Sequence, residues 1–274
     1  MHSIELSNFT ISNDKPLVLI LGPCVIENRD HCLKMAELIF NICNDVKIKF
    51  VFKSSFDKAN RTNIKSFRGI DFDKALKIFE EIKNKFNCPI ITDVHNEAQC
   101  QKLEQTDIVD IIQIPAFLCR QTNLLLAAGR TKKIINVKKG QFLSPHEIQN
   151  VIEKIESTNN YNIMITERGT SFGYNNLVND FRSIEIMKKF KYPIVFDATH
   201  SVQEPGGTGN STGGKREFIP VLSTAAVSLG IASLFIETHD DPDNAPSDGK
   251  NMLRIDDLKK LLLKLKKYDE ISKS

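Results

Sequence analysis

Hydrophobic and polar residues alternate along most of this chain in blocks of two kinds. Short runs that are nearly continuous in Val, Ile and other apolar residues are typical of parallel strands buried on both faces. Eight such runs predict strands at 17–22, 48–53, 89–93, 107–114, 133–138, 161–166, 193–198 and 233–237. Between them, apolar residues recur with helical spacing. This spacing predicts amphipathic helices at 30–43, 71–86, 97–104, 121–130, 145–157, 177–189, 217–229 and 252–267.

Eight strand–helix units decide the fold class. The 274 residues give about 34 residues for each unit, which is the spacing that a (β/α)8 (TIM) barrel requires. A doubly wound open sheet is the alternative, but it usually has fewer strands and a glycine-rich turn after the first one. Here that turn reads Gly22-Pro23-Cys24. We therefore predict an α/β fold with a single (β/α)8 barrel domain over residues 1–274, in which residues 1–14 form a short hairpin or cap over the barrel floor.

Composition and charge exclude several classes of function. Hydrophobic residues make up 41% of the chain and charged residues 26%, which is ordinary globular usage and excludes intrinsic disorder. No apolar run reaches about eighteen residues, and the first residues lack the pattern of a secretory signal. The formal net charge is only +3 with both signs interspersed, so neither a nucleic-acid nor a membrane partner is expected. Six cysteines without a C-x-x-C pair agree with a soluble, cytoplasmic protein.

Polar or ionisable side chains follow all eight predicted strands. Barrel enzymes carry their active sites at the carboxyl ends of the strands, so this placement predicts a functional site. The residues concerned are Cys24, Lys53, Asp93 and His95, Gln113, Lys138, Arg168, Asp197 and His200, and Glu237 and His239. Lys138 and Arg168 follow neighbouring strands and can converge on one anion. Together with Lys53 and Lys58, they indicate a small, multiply charged substrate such as a phosphorylated acid.

A second group of side chains is of the metal-ligating type. Its members are Cys24, His200, Glu237 and Asp248. They are distant in sequence, but closure of a barrel places the eighth strand beside the first and the seventh next to the eighth. A thiolate, an imidazole and two carboxylates suit a borderline divalent ion such as Zn²⁺ or Fe²⁺. A buried thiol within an ordinary polar network is the alternative, and spacing alone does not choose between the two.

A glycine-rich segment after the seventh predicted strand nearly matches a phosphate-binding loop. Residues 209–216 read GNSTGGKR, but the pattern G-x-x-x-x-G-K-[ST] requires a hydroxyl where Arg216 stands. Five of the chain's 13 glycines lie between Gly206 and Gly214. We interpret residues 204–216 as a mobile loop able to close over a site, with a plain surface loop as the alternative.

Sequence blocks at the strand ends carry a family resemblance. They are GPCVIE (22–27), FKSSFDKANRT (52–62), TDVH (92–95), IIQIPAFLCRQT (111–122), NVKKGQFLSP (136–145), TERGTSFGYNNLV (166–178), FDATHSVQ (196–203), GGKREFIP (213–220), IETH (236–239) and SDG (247–249). Over about residues 17–255, the chain resembles the 3-deoxy-D-manno-octulosonate 8-phosphate synthases of lipopolysaccharide sugar synthesis. The resemblance implies condensation of phosphoenolpyruvate with D-arabinose 5-phosphate and water, which gives the eight-carbon phosphorylated keto-acid and inorganic phosphate.

The resemblance also implies roles for individual residues. The expected catalytic residues are Lys58, Lys138, Arg168, His200 and Asp248. The expected substrate-binding residues are Lys53, Asn60, Arg61, Thr62, Asp93, Gln113 and Arg120. Within these sets, phosphoenolpyruvate would be held by Lys58, Lys138 and Arg168, and the pentose phosphate by Asn60, Arg61 and the hydroxyl of Thr62. Arg120 matches an arginine that reaches into a neighbouring subunit's site, which implies a homotetramer.

Cys24 distinguishes two branches of the family. The metal-independent branch carries Asn at this position, whereas the metal-dependent branch has ligands that match Cys24, His200, Glu237 and Asp248. The resemblance therefore implies one bound divalent ion, which would be Zn²⁺, Fe²⁺ or Mn²⁺.

Two positions depart from the family pattern. Thr62-Asn63 stands where two serines are usual, and the hydroxyl of Thr62 is expected to preserve phosphate binding. Asp240 follows His239 where Pro is common, which is expected to reshape the loop that leads to Asp248.

Two alternative functions are weighed against this assignment. The related 3-deoxy-D-arabino-heptulosonate 7-phosphate synthases use erythrose 4-phosphate and carry Lys-Pro-Arg-[Ser/Thr] after strand two, where this chain has Lys58-Ala59-Asn60-Arg61. A non-catalytic sugar-phosphate sensor would be expected to lose cations or metal ligands, and none is lost. The sequence therefore favours the enzyme that uses arabinose 5-phosphate.

Overall fold

The eight predicted strands pair in chain order and close into a parallel barrel. The structure, a computed structural model, describes residues 2–61, 63–204 and 213–274. The barrel strands are β1 (Val18–Gly22), β2 (Lys49–Lys53), β3 (Ile90–Asp93), β4 (Ile111–Ile114), β5 (Ile134–Lys138), β6 (Ile163–Glu167), β7 (Ile194–Asp197) and β8 (Ser233–His239). Since β8 pairs with both β7 and β1, the sheet closes on itself. The predicted (β/α)8 barrel is confirmed, and the doubly wound open sheet is excluded.

A helix follows each barrel strand and packs on the outside of the sheet. The helices are α1 (Arg29–Val46), α2 (Phe72–Phe86), α3 (Glu97–Glu104), α4 (Thr122–Arg130), α5 (Ile148–Glu156), α6 (Arg182–Lys188), α7 (Ile219–Val227) and α8 (Ile255–Ser272). Their apolar faces share one buried cluster with outward-facing strand residues such as Leu19, Phe52 and Ile236. Within the described parts of the chain, none of these helices is both long and apolar enough to cross a membrane.

Several element boundaries differ from the predicted ones, and for two of them a contact shows the reason. The fourth strand begins at Ile111 and not at residue 107, because Asp110 turns its carboxylate back to accept from the Ile90 amide at 2.8 Å. The sixth helix begins at Arg182 and not at residue 177, because Leu177–Val178 form one edge of a two-stranded antiparallel sheet. In both places a short apolar run fits more than one kind of element, and a local polar or backbone contact decides.

An N-terminal hairpin closes the floor of the barrel. Ile4–Leu6 pairs antiparallel with Phe9–Ile11. Ile4 and Ile11 are fully buried in one cluster with inward-facing strand residues, including Phe235. Apolar side chains therefore fill the amino ends of the strands. Polar and ionisable groups collect at the opposite, carboxyl ends.

Candidate active site

A cavity of about 770 Å³ lies at the carboxyl ends of the barrel strands, where barrel enzymes bind their substrates. Most of the predicted site residues line it. They are Lys53, Lys58, Asn60, Arg61, Asp93, Gln113, Lys138, Arg168, His200 and Asp248. Among the described lining side chains, six are cationic and four are carboxylates. The cavity therefore suits a small anionic ligand.

Close contact between the ends of β1 and β2 places Cys24 beside Lys53. A Cβ atom on Gly22 would stand 1.7 Å from the carbonyl oxygen of Lys53, so these two strand ends can approach only with glycine at this position. The buried Lys53 Nζ then donates to the Cys24 carbonyl at 3.3 Å. The backbone thereby fixes the predicted metal-binding thiol relative to one of the predicted cations.

Two of the four predicted anion-binding cations lie in close contact with buried carboxylates, and a third, Lys58, is 3.9 Å from Glu237 Oε1. Lys53 Nζ lies 2.6 Å from Glu237 Oε1, and Lys138 Nζ lies 2.5 Å from Asp197 Oδ2. All four side chains are almost completely buried. Burial of a charge is costly unless the charge is paired, so these two pairs explain how the barrel accommodates ammonium groups. They also leave less of the Lys53 and Lys138 charge available to a ligand.

Arg168 and Lys58 retain donors that can bind an anion. Arg168 Nη2 donates to the His200 carbonyl at 3.0 Å and to Gln203 Oε1 at 2.9 Å. Its Nε is buried and has no hydrogen-bond partner among the described residues. Lys58 Nζ donates to Ser55 Oγ at 3.0 Å. Because a buried donor without a partner is costly, an anion in the cavity would complete the Arg168 site.

Asp197 orients both His200 and Lys138. Its Oδ2 lies 2.7 Å from His200 Nδ1, and its Oδ1 accepts the His200 backbone N–H at 2.9 Å. With Nδ1–H donated to Asp197, His200 keeps Nε2 free, as in carboxylate–histidine–metal arrangements. Burial lowers the pKa of His200 below its ordinary value, although the negative charge of Asp197 acts in the opposite direction. This shift favours the neutral ring that a metal ion requires.

Three of the four predicted metal ligands converge beside the cavity, and of the four only His200 and Asp248 line it. Cys24, Glu237 and Asp248 each offer one ligand atom within 4.8 Å of the other two. Glu237 Oε2 is buried and has no hydrogen-bond partner in the part of the chain that the structure describes. His200 approaches with Nε2 3.7 Å from this oxygen. An orphaned carboxylate oxygen with a thiol and an imidazole nearby fits a divalent cation.

Burial and charge act differently on Cys24 and Glu237. Burial, together with the Glu237 charge, raises the pKa of the Cys24 thiol well above its ordinary range. Burial also opposes ionisation of Glu237, but the neighbouring Lys53 and His200 hold its pKa well below the ordinary value. The thiol therefore stays protonated at neutral pH unless a cation compensates it, and a coordinated metal ion deprotonates a thiol.

Asp248 adopts a strained backbone conformation. Its φ of 49° and ψ of 24° lie in the left-handed region, which costs a non-glycine residue about 1–3 kcal/mol. Gln203 Nε2 donates to Asp248 Oδ1 at 3.3 Å. Arg216 Nη2 donates to the following carbonyl, that of Gly249, at 2.5 Å. These contacts hold the strained turn and direct its carboxylate towards Cys24, 3.3 Å from Sγ.

The residues predicted to bind the pentose phosphate lie on the outer part of the cavity. Asn60 and Arg61 line it from the loop after β2, and Arg61 Nε donates to a carbonyl of the same loop at 2.9 Å. Thr62 lies outside the described residues. Further in, Asp93 Oδ2 lies 2.9 Å from His95 Nε2. Asp93 Oδ1 is a buried atom for which the described residues offer no hydrogen-bond partner, so it can accept from a ligand.

Some functional contacts come from residues to which the sequence pattern assigned no role. Asn136 Nδ2 donates to Gln113 Oε1 at 3.4 Å, and Thr166 Oγ1 donates to Asn136 Oδ1 at 2.7 Å. This buried polar layer supports the predicted residue Gln113 from below. The sequence feature that points to this polar layer is Asn136 itself, because it interrupts the apolar run IINVK. From the sequence, Asp197 is predicted only to end a strand, although it stands three residues before His200.

Arg120 does not line the main cavity of its own chain. It is exposed and lines an adjacent cavity of about 510 Å³. His95 and Leu118 line both cavities. Arg120 therefore stands on the rim beside the site.

The described ends of the glycine-rich segment form a short antiparallel ladder. Residues 203–204 pair with residues 213–214. Residues 205–212 lie outside the described residues, and with them most of the predicted mobile loop and of the near-match to a phosphate-binding loop. Arg216, at the position where that pattern requires a hydroxyl, lies 2.9 Å from Asp243. This ion pair connects Arg216 to the loop that follows β8.

Comparison with known proteins matches the chain over nearly its full length. The model of the DAHP synthetase I family matches residues 2–274. Three curated relatives are each named 2-dehydro-3-deoxyphosphooctonate aldolase. The protein from Bartonella henselae is 54% identical over 270 residues, which cover 98% of this chain and 96% of the relative. Those from Rickettsia bellii and Rickettsia prowazekii are 56% and 55% identical over 270 residues, which cover 98% of both chains in each case.

Proposed function

The chain belongs to the DAHP synthetase I family, and from this premise we propose that it condenses phosphoenolpyruvate with D-arabinose 5-phosphate and water. The products are 3-deoxy-D-manno-octulosonate 8-phosphate and inorganic phosphate. The shared name of the relatives supports this function, since 2-dehydro-3-deoxyphosphooctonate aldolase denotes the same enzyme. In the structure, the observation that carries the proposal is that the cavity is lined by an incompletely satisfied guanidinium and by Asp248, which belongs to a cluster of metal-ligating side chains beside it.

Phosphoenolpyruvate is a small anion with a carboxylate and a phosphate group, and we place it against Arg168, Lys138 and Lys58. The planar fork of Arg168 suits either group, and Lys58 supplies a point charge. Burial opposes the charge on Lys58, but the anionic groups that face it raise its pKa above the ordinary value. Lys58 therefore stays cationic at neutral pH. Fixed positive charge in a water-poor cavity stabilises the changing charge of the reacting anion.

The reaction forms one carbon–carbon bond and breaks one carbon–oxygen bond. Carbon three of phosphoenolpyruvate attacks the aldehyde carbon, water adds to carbon two, and phosphate leaves with the oxygen that joined it to carbon two. The water oxygen becomes the keto oxygen at carbon two and loses both protons: one balances the proton that the aldehyde oxygen gains, and the other leaves on the released phosphate. We assign Lys58 and Lys138 as donors towards the developing oxyanions, and His200 and Asp248 contribute to catalysis as ligands of the divalent ion proposed below.

We propose that one divalent ion, Zn²⁺, Fe²⁺ or Mn²⁺, is held by Cys24, His200, Glu237 and Asp248. The support is the fit of the donor set and the orphaned Glu237 Oε2. Lys53 is paired with the other oxygen of Glu237, which leaves Oε2 for the ion. When bound, such an ion can orient or polarise the aldehyde or lower the pKa of a water molecule.

The loop after β2 argues against erythrose 4-phosphate as the sugar substrate. Asn60 lines the cavity at the position where the erythrose-using synthases carry Pro. An Asn side chain can donate and accept hydrogen bonds with a longer sugar phosphate, and a Pro side chain cannot. A non-catalytic sensor is disfavoured because the predicted cations and metal ligands lie together in or beside one cavity.

Incubation of the purified, metal-loaded protein with phosphoenolpyruvate and D-arabinose 5-phosphate tests the proposed function. We expect inorganic phosphate to be released in equal amount to an eight-carbon phosphorylated acid that mass spectrometry identifies. Omission of the aldose should suppress phosphate release. Hydrolysis of phosphoenolpyruvate without a new carbon–carbon bond, or no phosphate release at all, would show that the proposed function is wrong.

Replacing Arg168 by Lys should lower turnover at least about tenfold, equivalent to roughly 1.4 kcal/mol. The substitution keeps the charge but removes the planar fork and the buried Nε–H. Steady-state kinetics with varied phosphoenolpyruvate measure the effect. The matched control is Arg182→Lys at the start of α6, where the side chain is 87% exposed and the kinetics should not change. Unchanged kinetics for Arg168→Lys would place this residue outside the site.

We also propose a homotetramer in which Arg120 completes a neighbouring subunit's site. Arg120 is exposed on the rim of the cavity, where it can extend beyond its own subunit. Large aromatic residues are also exposed, and a partner subunit would bury them. These aromatics are Phe117, Phe142, Phe172 and Tyr174.

Mixing two inactive variants tests the role of Arg120 across the subunit boundary. Arg120→Ala and Lys138→Ala should each be nearly inactive as homo-oligomers. If each site combines its own Lys138 with a neighbour's Arg120, random hetero-oligomers should regain about a quarter of the wild-type activity. No recovery, with hetero-oligomers confirmed by native mass spectrometry, would place both residues in the site of a single chain.

We place the reaction in the cytoplasm. All six cysteines are unpaired and buried, which agrees with a reducing compartment.

A further inference from the structure

A second cluster of metal-ligating side chains lies beside the active site and takes no part in the proposed reaction. Glu27 follows β1, His31 lies in the first turn of α1, and His239 ends β8. Each of the three offers one ligand atom within 4.8 Å of the other two. Their side chains are 24%, 13% and 6% exposed, respectively. The cluster is therefore sheltered but still reachable from solvent.

The two imidazole rings and the carboxylate are already in contact. His239 Nε2 lies 2.7 Å from Glu27 Oε1, and the ring centroids of His31 and His239 are 4.6 Å apart. His31 Nδ1 is buried and finds no hydrogen-bond partner among the described residues. A buried ring nitrogen in this state needs a partner, and a metal ion is one.

Asp240 supports both rings from the side. Its Oδ1 lies 3.1 Å from His31 Nε2 and 3.2 Å from His239 Nδ1. Carboxylates in this position fix the tautomer and orientation of metal-ligating imidazoles. In the structure the Asp241 N–H donates to His239 Nδ1 at 2.9 Å, so the ring proton lies on Nε2 and faces Glu27. Metal binding at Nε2 would move this proton to Nδ1, where Asp240 Oδ1 can accept it. The Asp241 N–H would then keep Asp240 Oδ1 as its acceptor, at 3.1 Å.

The charge and spacing of the cluster suit a divalent cation. Lys34 Nζ lies 2.7 Å from Asp240 Oδ2. This lysine therefore compensates the charge of the supporting carboxylate and not that of Glu27. Ligand atoms around a tetrahedral Zn²⁺ stand roughly 3.3–3.5 Å apart, given bond lengths of about 2.0–2.2 Å. Glu27 and His239 would separate by under about 1 Å to reach this spacing. Two imidazoles with one carboxylate favour Zn²⁺ and its neighbours over Mg²⁺ or Ca²⁺.

We propose that Glu27, His31 and His239 form a second divalent-metal site of the Zn²⁺ class, separate from the Cys24 site, with Asp240 as its supporting carboxylate. Three protein ligands leave one coordination position for water. An ion bound here joins the loop after β1 to the end of β8. It thereby restrains the segment 240–249, which carries Asp248.

Metal stoichiometry of the intact protein tests this site without reference to activity. Equilibrium dialysis against Co²⁺ or Zn²⁺, followed by elemental analysis, should give a second equivalent per wild-type chain. Cys24→Asn should lose the first equivalent and keep the second, whereas His31→Gln should lose the second and keep the first. His146→Gln, which alters an exposed histidine elsewhere, is the matched control and should keep both.

The Co²⁺ spectrum separates the two sites. The Cys24 site should show a thiolate-to-Co²⁺ charge-transfer band, and the second equivalent should add only ligand-field bands because it has no sulfur ligand. Glu27→Gln provides an independent variant if His31→Gln does not fold. A wild-type chain that binds a single equivalent would overturn the proposal. So would a folded His31→Gln or Glu27→Gln variant that retains the thiolate-free equivalent.

Discussion

Removal of the proposed divalent ion by a chelator is expected to lower activity at least about a hundredfold, with partial recovery on addition of Zn²⁺, Fe²⁺ or Mn²⁺. Cys24, Glu237 and Asp248 converge within 4.8 Å, and Glu237 Oε2 is buried without a partner among the described residues. Without an ion, burial keeps the Cys24 thiol protonated. Turnover before and after dialysis against EDTA, with metal analysis of the same samples, measures the effect.

The Cys24→Asn substitution sharpens this test, because it copies the metal-independent branch of the family. If the ion mainly positions groups, the variant should keep some activity and become insensitive to chelator. If the ion activates water, the variant should be almost inactive, since loss of a ligand perturbs the bound water directly. Cys100→Ala, at a buried thiol in α3, is the matched control and should stay chelator-sensitive. Full activity of metal-free native protein would show that Cys24 is only a buried thiol.

Replacing Lys53 by Met is expected to lower the free energy of unfolding by about 3–5 kcal/mol. Lys53 and Glu237 are both fully buried, with 2.6 Å between Nζ and Oε1. The substitution leaves the Glu237 carboxylate buried without its closest cation. Replacing both partners, as Lys53→Met with Glu237→Leu, should recover most of the loss because both charges of the buried pair are removed together. Denaturant unfolding of the metal-free proteins measures both differences.

An exposed ion pair provides the control for this prediction. Lys259 Nζ lies 2.8 Å from Asp45 Oδ2, and the two side chains are 52% and 61% exposed. Lys259→Ala should cost under about 1 kcal/mol, because water screens the pair. If Lys53→Met costs no more than Lys259→Ala, the Lys53–Glu237 pair does not stabilise the barrel.

The barrel could be predicted from sequence because parallel strands that are buried on both faces appear as continuous apolar runs. Val18–Gly22 and Ile194–Asp197 are two such runs, and the structure places them in the predicted barrel. Boundaries were less predictable where a tertiary contact decides them. Asp110 accepts from the amide of Ile90, twenty residues earlier, and no local pattern reveals that contact.

The site could be predicted in part for a related reason. Residues at the carboxyl ends of barrel strands must share one face, so Lys138, Arg168 and Glu237 could be grouped from the strand order alone. The orientation of each side chain could not, because it depends on supporting contacts such as that of Asp197 with His200. The proposed role of Arg120 could not be derived from strand order either, because it depends on a second subunit.

The relative kcat/KM for the two aldose phosphates tests the proposed substrate assignment most directly. With phosphoenolpyruvate saturating and the metal site loaded, D-arabinose 5-phosphate and erythrose 4-phosphate are each varied. We predict a kcat/KM at least about a hundredfold higher for arabinose 5-phosphate, because a site built to hydrogen-bond a substrate strongly rejects an analogue that lacks those groups. Comparable values for the two aldoses, or a preference for erythrose 4-phosphate, would contradict the assignment.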